Sequence, residues 1–245
     1  MKIKTVLSVF FLLHATLLFG QVNGDTTTLQ WDYPIKPGTE EWTPLETWDA
    51  KFEACQIPVN IVSNMSTKEL TKVCLKYPLF NTYSLLGGND ERQGIRLLIK
   101  RFNGLWELSQ REDGVQELIK AYADFPVPAQ PERDKTSEHY YDLIKLPFLE
   151  LVLADSLFLN RLDSVGLDEL KRIAVNKYAD KIQYPTVYSI YNIKRSMLLA
   201  AIIIGKQNNI EKSSQRQEMI TDFIKNYLQA DANLVTKISQ ILVEL

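Results

Sequence analysis

Cysteine and histidine are the side chains of this sequence best suited to nucleophilic, redox or metal chemistry, and the chain has few of them. It has 245 residues with two histidines, His14 and His139, and two cysteines, Cys55 and Cys74. His14 falls in a predicted export signal, so a multi-histidine zinc site cannot form and a Ser-His-Asp triad would have to use His139. His139 lies near a predicted helix start, where an exposed surface histidine is the usual case. We therefore predict no catalytic residue and no metal site.

The two cysteines are predicted to form a disulfide. Cys55 and Cys74 each lie on the apolar stripe of a predicted helix, and the two helices are consecutive. In an exported protein such a pair can meet across a helical hairpin. The bridge would close a loop of about 20 residues and stabilise the fold by about 3 kcal/mol on the chain-entropy model. The alternative is a pair of free thiols in the core.

Carboxylates leave one enzymatic alternative open. The chain has 30 acidic residues, and a carboxylate pair can hydrolyse a glycosidic bond without histidine. A secreted hydrolase of a polysaccharide or other envelope polymer is therefore the alternative function. Most of the acids lie opposite predicted apolar stripes, which is typical of solvated helix faces. Residues 87–90 are predicted to be a turn followed by a helix cap rather than a phosphate-binding loop, and we expect no cofactor.

Aromatic residues near the N-terminus form the candidate binding surface of the sequence: Trp31, Tyr33 and Trp42, with Trp48 close behind on a predicted core stripe. The segment 25–42 contains two prolines and a glycine, so we predict an extended arm. Its rings could stack on a protein or glycan partner, or they could dock on the rest of the protein. Docking is favoured, because three large rings left in water would be unusual for a monomer.

The first 24 residues have the three parts of a secretory signal peptide. Lys2 and Lys4 precede an apolar run over 6–19, and small or polar residues follow it. The run is shorter than the roughly 20 residues of a bilayer span, so we predict cleavage after Gly20 or Gly24. No cysteine follows either site, which argues against a lipoprotein. The protein is expected in the periplasm or outside the cell, with no transmembrane span in the mature chain.

Amphipathic helices are predicted for the rest of the chain. Apolar residues recur at i, i+3, i+4 and i+7 from residue 43 onward without strand-like alternation. We predict a single all-α domain over 43–245, an irregular array of about nine or ten helices. Capping boxes at 43–46 and 66–69 are predicted to begin the first two helices. A proline-rich strap is predicted at 125–137, and the apolar end of 186–205 indicates a central helix.

Several short motifs lie in the first half of the chain. They are Pro37-Gly38-Thr39-Glu40-Glu41-Trp42, Ala54-Cys55-Gln56-Ile57-Pro58, Met65-Ser66-Thr67, Cys74, Tyr77-Pro78-Leu79 and Phe102-Asn103-Gly104-Leu105. Together they resemble a family of exported bacterial helical proteins that has no known activity. The resemblance covers roughly residues 33–115, and it implies export and a small helical body without assigning any site residue.

The charge balance bears on the expected partners. A formal net charge of −2 without a basic cluster in the sequence gives no electrostatic attraction to nucleic acid, which we do not expect as a partner. Helical arrays often present long partner-binding surfaces. With no catalytic cluster in the sequence, the predicted function is a non-catalytic interaction or scaffold protein of the bacterial cell envelope.

The export prediction can be checked directly. When the full chain is produced in a Gram-negative host, we expect a soluble protein whose first residue is Gln21 or Asp25, because the apolar run is removed by signal peptidase. N-terminal sequencing of the periplasmic and medium fractions measures this. An intact Met1 on a firmly membrane-bound protein would show instead that the run is a retained anchor.

Overall fold

The computed structural model describes residues 31–128, 138–207 and 215–244. Within the second range, residues 138–142 are described by their backbone only. This part of the chain contains thirteen α-helices, two short 3-10 helices and no strand, which confirms the all-α prediction. The α-helices are Trp48–Ala54 (α1), Val59–Val62 (α2), Thr67–Leu75 (α3), Tyr83–Leu86 (α4), Glu91–Arg101 (α5), Asn103–Gln110 (α6), Gly114–Asp124 (α7), Glu138–Ala154 (α8), Ser156–Leu159 (α9), Ser164–Ile182 (α10), Ile190–Lys206 (α11), Gln215–Asn226 (α12) and Ala232–Val243 (α13).

The helix count exceeds the predicted nine or ten because short helices lie between the long ones. Helices α2, α4 and α9 have four residues each, too few to show an apolar stripe in the sequence. The predicted signal peptide, and residues 129–137 of the predicted strap, lie outside the described residues. His139 falls in α8, but its side chain is also outside the description.

One of the two predicted capping boxes begins a helix and the other does not. Ser66 Oγ accepts the backbone N–H of Glu69 at 3.3 Å and begins α3 as predicted. The first helix begins later than predicted, because the chain first turns through a 3-10 helix at Glu40–Trp42. Thr47 then caps α1, and its Oγ1 accepts the N–H of Ala50 at 3.2 Å.

Helix α11 is the centre of the second half of the molecule. It packs against α8, α10, α12 and α13. Residues 197–201 are buried in succession, as expected for a helix flanked on several sides. In the first half, α3 packs against α6 and α7, while α5 packs against α4 and α6. Contacts of α8 with α5 and α7 join the halves, and a continuous hydrophobic core extends from Tyr33 to Leu242.

No helix in the described ranges has both the length and the apolar character needed to cross a membrane.

The predicted disulfide is absent from the structure. Cys55 follows the last residue of α1, Cys74 lies in α3, and both are free and buried. The Cys55 thiol points to the arm, where it donates to the Ile35 carbonyl oxygen at 3.5 Å, and this contact replaces the predicted bridge. Burial raises the pKa of Cys55 to about 11 and the pKa of Cys74 well above its usual range. Both thiols therefore stay protonated at neutral pH.

An ion pair between Glu91 of α5 and Arg195 of α11 connects distant parts of the chain. Arg195 donates to both carboxylate oxygens, with Nε 2.8 Å from Oε2. Tyr227 donates its hydroxyl to the same Oε2 at 2.7 Å. Burial by itself would raise the pKa of Glu91, but the hydrogen bonds from Arg195 and Tyr227 and the Arg195 charge keep it below its ordinary value.

The free energy that this ion pair contributes to folding should depend on pH. Because folding lowers the pKa of Glu91, the contribution is complete above the pKa of Glu91 in the unfolded chain, about 4.3. It is lost as the pH falls through the lower pKa of the folded protein. We expect Glu91→Gln to reduce the free energy of unfolding by about 3 kcal/mol at pH 7, because it leaves Arg195 without its carboxylate. Urea denaturation between pH 7 and pH 3 should show this difference shrinking below about pH 4.3.

The matched control for this prediction is Glu53→Gln, which changes an exposed carboxylate of α1. It should alter stability by less than about 0.5 kcal/mol across the same range. A difference between Glu91→Gln and wild type that is unchanged at pH 3 would contradict the proposed role of the ion pair.

Candidate functional site

The three aromatic residues predicted as a binding surface divide into two groups in the structure. Tyr33 is only 2% exposed, and its hydroxyl donates to the Val73 carbonyl oxygen at 3.2 Å. The half-buried Trp31 ring meets Tyr33 edge-on, with 6.4 Å between centroids. Trp42 is also half-buried, but it borders an open groove. Tyr33 therefore belongs to the core and Trp31 packs against it, whereas Trp42 lies where it can contact a ligand.

This groove, which we call the aromatic groove, has a volume of about 810 Å³. Its lining comes from the arm, from Trp48 of α1, from the segment 75–85 and from α8 at Ile144 and Lys145. The volume is within the usual range for ligand pockets, roughly 300–1,000 Å³. Parts of the chain that are distant in sequence thus form a single concave surface.

Exposed apolar side chains distinguish the aromatic groove from an ordinary surface depression. Trp48 is 49% exposed and Leu85 is 66% exposed. Trp48 was predicted to lie in the core, and this prediction was wrong because α1 begins at Trp48 itself and turns the ring outward. Single exposed apolar residues are common on protein surfaces. Here both residues border the same groove, together with Trp42.

A lysine holds the two tryptophans of the groove in position. Lys51 Nζ lies 5.6 Å from the ring centroid of Trp42 and 5.1 Å from that of Trp48. Both distances are within the range of cation–π attraction. One charge therefore orients two rings, which reduces the conformational entropy that a bound ligand would have to remove.

Positive charge predominates around the aromatic groove. Three lysines line it, Lys36, Lys76 and Lys145, against a single carboxylate, Asp32. Lys36 Nζ lies 3.1 Å from Asp32 Oδ2, and its hydrogen bond lowers the pKa of Asp32. The carboxylate is therefore ionised and paired with Lys36 at neutral pH, and Lys76 adds a further positive charge to the rim of the groove.

The carboxylates that are buried in the described part of the chain are all engaged by cations. Glu91 pairs with Arg195, Asp155 with Arg96 and Glu150 with Lys181. A glycosidase needs two carboxyl groups that face a substrate across an accessible cleft. Paired and buried acids of this kind do not supply that arrangement, so these three residues do not support the hydrolase alternative.

Glu150 is the centre of a polar network to which four helices contribute. Lys181 Nζ lies 2.8 Å and 2.9 Å from the two Glu150 oxygens and 2.8 Å from Ser196 Oγ. Ser196 and Tyr122 donate to Glu150 Oε1 at 2.6 Å and 3.1 Å. All four residues are fully buried. The network is thus sealed from substrate and serves packing.

The sequence contains a single signal of this network. Glu150 is the single charged residue in the apolar stretch 146–154, and a charge is rarely buried without a partner. That isolated acid could have been identified as a buried ion-pair member. Its partners could not, because Lys181 and Ser196 lie 31 and 46 residues further along the chain, on other helices, and no local pattern relates them to Glu150.

Burial penalises the charged form of Lys181 and lowers the pKa of its ammonium group, an effect that Glu150 opposes. The hydrogen bonds from Lys181 place its ammonium group against both carboxylate oxygens. Such a pair is costly to break, because the partner that remains is a buried charge without compensation.

Two further buried lysines, Lys177 of α10 and Lys194 of α11, donate hydrogen bonds to backbone carbonyl groups near the ends of other helices. Lys177 Nζ donates to the carbonyl oxygens of Ala123 and Phe125, at the C-terminal end of α7. Lys194 Nζ donates to those of Leu228 and Ala230, after α12. Both satisfy carbonyl groups at or beyond the end of a helix. Burial lowers the pKa of each lysine, so burying each charge costs free energy, which the hydrogen bonds to the carbonyl oxygens partly offset.

Comparison with protein families, with curated proteins and with solved structures gives no match. Within the described residues, no group of three or more His, Cys, Asp and Glu side chains could hold a metal ion. The concave surfaces of the molecule and their charges are therefore the observations from which function can be inferred.

The structural role of the Glu150 network can be tested by breaking it from one side. We expect Glu150→Gln to reduce the free energy of unfolding by about 3–5 kcal/mol, because Lys181 then lacks its carboxylate. The melting temperature should fall by about 10 °C. Thermal and urea denaturation measure both quantities.

A double-mutant cycle supplies the control for this experiment. Lys181→Met combined with Glu150→Gln removes both charges, and it should cost less than the sum of the two single changes. Additive costs, or a Glu150→Gln protein within about 0.5 kcal/mol of wild type, would contradict an energetically coupled pair.

Proposed function

We propose that this protein is a non-catalytic interaction protein of the bacterial cell envelope, and that its aromatic groove binds an apolar segment of a partner protein. The observation that carries the proposal is the exposure of Trp48 and Leu85 in one concave surface beside Trp42. Tryptophan is among the residue types most enriched in the dominant contributors to protein–protein affinity. A leucine next to it enlarges the apolar area that a partner can cover.

The charge of the aromatic groove indicates which charge its partner should carry. Lys36 and Asp32 of the lining pair with each other, and Lys76 adds a positive charge beside the apolar rings, so the best complement is an apolar anchor flanked by a carboxylate. A neutral glycan could stack on the tryptophans, but it would leave the positive rim without a counter-charge. The partner class proposed is therefore an acidic protein segment with an aromatic or aliphatic anchor.

The sequence supports a proposed location for the interaction. The signal-peptide pattern of residues 1–24 supports export, and the resemblance to exported helical proteins supports the same compartment. The ion pairing of Glu91, Glu150 and Asp155 favours binding over carboxylate-dependent hydrolysis. We therefore propose that the mature protein acts in the periplasm or outside the cell.

Selection from a peptide library can test the groove before any partner has been identified. Random peptides displayed on phage are selected on the mature wild-type protein and then counter-selected on Trp48→Ala. We expect the enriched peptides to carry an apolar anchor with neighbouring Asp or Glu. Their affinity for Trp48→Ala should be about 30-fold weaker than for wild type, which is the loss expected for a contact worth about 2 kcal/mol.

The matched control is Trp106→Ala. Trp106 of α6 is 45% exposed, close to the value for Trp48, but it lies outside the groove lining. It should leave peptide affinity unchanged. The groove would be refuted as the binding site if the selected peptides bound Trp48→Ala as tightly as wild type. It would also be refuted if they lost equal affinity for Trp48→Ala and Trp106→Ala. Trp48-dependent retention on a glycan array or Trp48-dependent self-association, without any selected peptide, would assign the groove to sugars or to a second copy instead.

A further inference from the structure

A second concave surface differs from the aromatic groove in its chemistry. A cleft of about 580 Å³ lies where α5, α8, α9, α11 and α12 meet. Four cationic side chains line it, Arg92, Arg96, Lys206 and Lys225, against the two carboxylates Asp90 and Asp155. We call this surface the basic cleft. Its positive charge is concentrated in a protein whose formal net charge is −2.

Three of the four cations contact neutral groups or no side chain of the described residues. Arg92 Nη1 donates to the Ile224 carbonyl oxygen at 3.1 Å, and Lys206 Nζ donates to Asn160 Oδ1 at 2.8 Å. Lys225 has no hydrogen bond or ion pair from its side chain in the described part of the chain. These contacts orient the cations without neutralising them, so they can still bind an anion.

The fourth cation, Arg96, pairs with Asp155, a carboxylate that also caps helix α9. Arg96 Nε pairs with Asp155 Oδ2 at 3.1 Å, and its Nη2 donates to Ser156 Oγ at 3.1 Å. The other oxygen of Asp155 accepts the N–H of Leu157 at the start of α9. Asp90 likewise caps α5, and its Oδ1 accepts the N–H groups of Arg92 and Gln93. Both acids of the cleft are therefore directed toward backbone donors.

We propose that the basic cleft binds a small molecule that carries a phosphate or diphosphate group. Several cations around one concavity suit a ligand with more than one negative charge, and arginine matches phosphate oxygens through two parallel N–H donors. The cleft volume of about 580 Å³ exceeds the space that a single inorganic ion fills, and Leu151 and Ile202 add apolar surface to its lining. The ligand is thus a phosphate ester or a diphosphate with a less polar body.

Inorganic pyrophosphate is the probe that tests this site. Isothermal titration of the mature protein at constant ionic strength should show saturable binding to wild type. Lys225→Gln removes a cation without removing a described hydrogen bond, and it should weaken the affinity about tenfold, as expected for one charge-assisted contact. Arg92→Gln should weaken it at least as much, and thermal unfolding of each variant checks that the fold is retained.

The matched control is Lys100→Gln, an equal change of charge on an exposed residue of α5 outside the cleft. It should leave pyrophosphate affinity within about twofold of wild type, since exposed charges at a distance are screened by salt. Absence of wild-type binding, equal weakening by Lys100→Gln, or citrate binding as tight as that of pyrophosphate would overturn the proposal.

Two sources of the phosphate group can be separated with vesicles. Phosphatidylcholine vesicles with and without phosphatidic acid are sedimented with wild-type protein and with Lys225→Gln. Lys225-dependent sedimentation that pyrophosphate competes away assigns the cleft to a lipid headgroup. Pyrophosphate binding without sedimentation assigns it to a soluble phosphate ester, and either result supports the site.

Discussion

The ion pair between Glu150 and Lys181 is the constraint on which the packing of the second half depends. A charge can be fully buried only if its partners satisfy it completely. Glu150 comes from α8, Lys181 from α10, Ser196 from α11 and Tyr122 from α7. These four helices must therefore meet at one point in one register. Apolar packing by itself tolerates many arrangements of similar volume, whereas a polar network with fixed partners does not.

The two concave surfaces lie outside this rigid interior and differ in chemistry. The aromatic groove presents Trp48 and Leu85 to solvent with lysines in its lining, and the basic cleft presents four cations, of which Arg92 and Lys206 are oriented by neutral acceptors. Buried polar groups with complete hydrogen bonding fix how the helices pack, whereas the exposed tryptophan, leucine and cationic side chains of the two surfaces can contact a ligand. The phenol of Tyr33 belongs to the first class, because its hydroxyl bonds to Val73 and its ring is buried.

The sequence alone determined the fold class, the central helix α11 and the cap at Ser66, because helical periodicity and capping depend on residues within a few positions of one another. It also allowed Trp42 to be selected as a candidate binding residue. It placed Trp48 in the core, because Trp48 lies four residues before the buried Phe52 on the same apolar period, whereas this first residue of α1 is 49% exposed. It joined Cys55 to Cys74, because spacing along the chain carries no information about where a buried thiol points.

Only the tertiary structure decided the groups formed by distant residues. Arg92 and Lys225, Glu91 and Arg195, and Glu150 and Lys181 meet through the packing of helices that are far apart in sequence. No local pattern marks such pairs, since a lysine on a solvated helix face and a lysine inside a network have similar neighbours in the chain. Burial and charge pairing are properties of the packed array, and the packing determines which charges are neutralised in the interior and which remain exposed for a ligand.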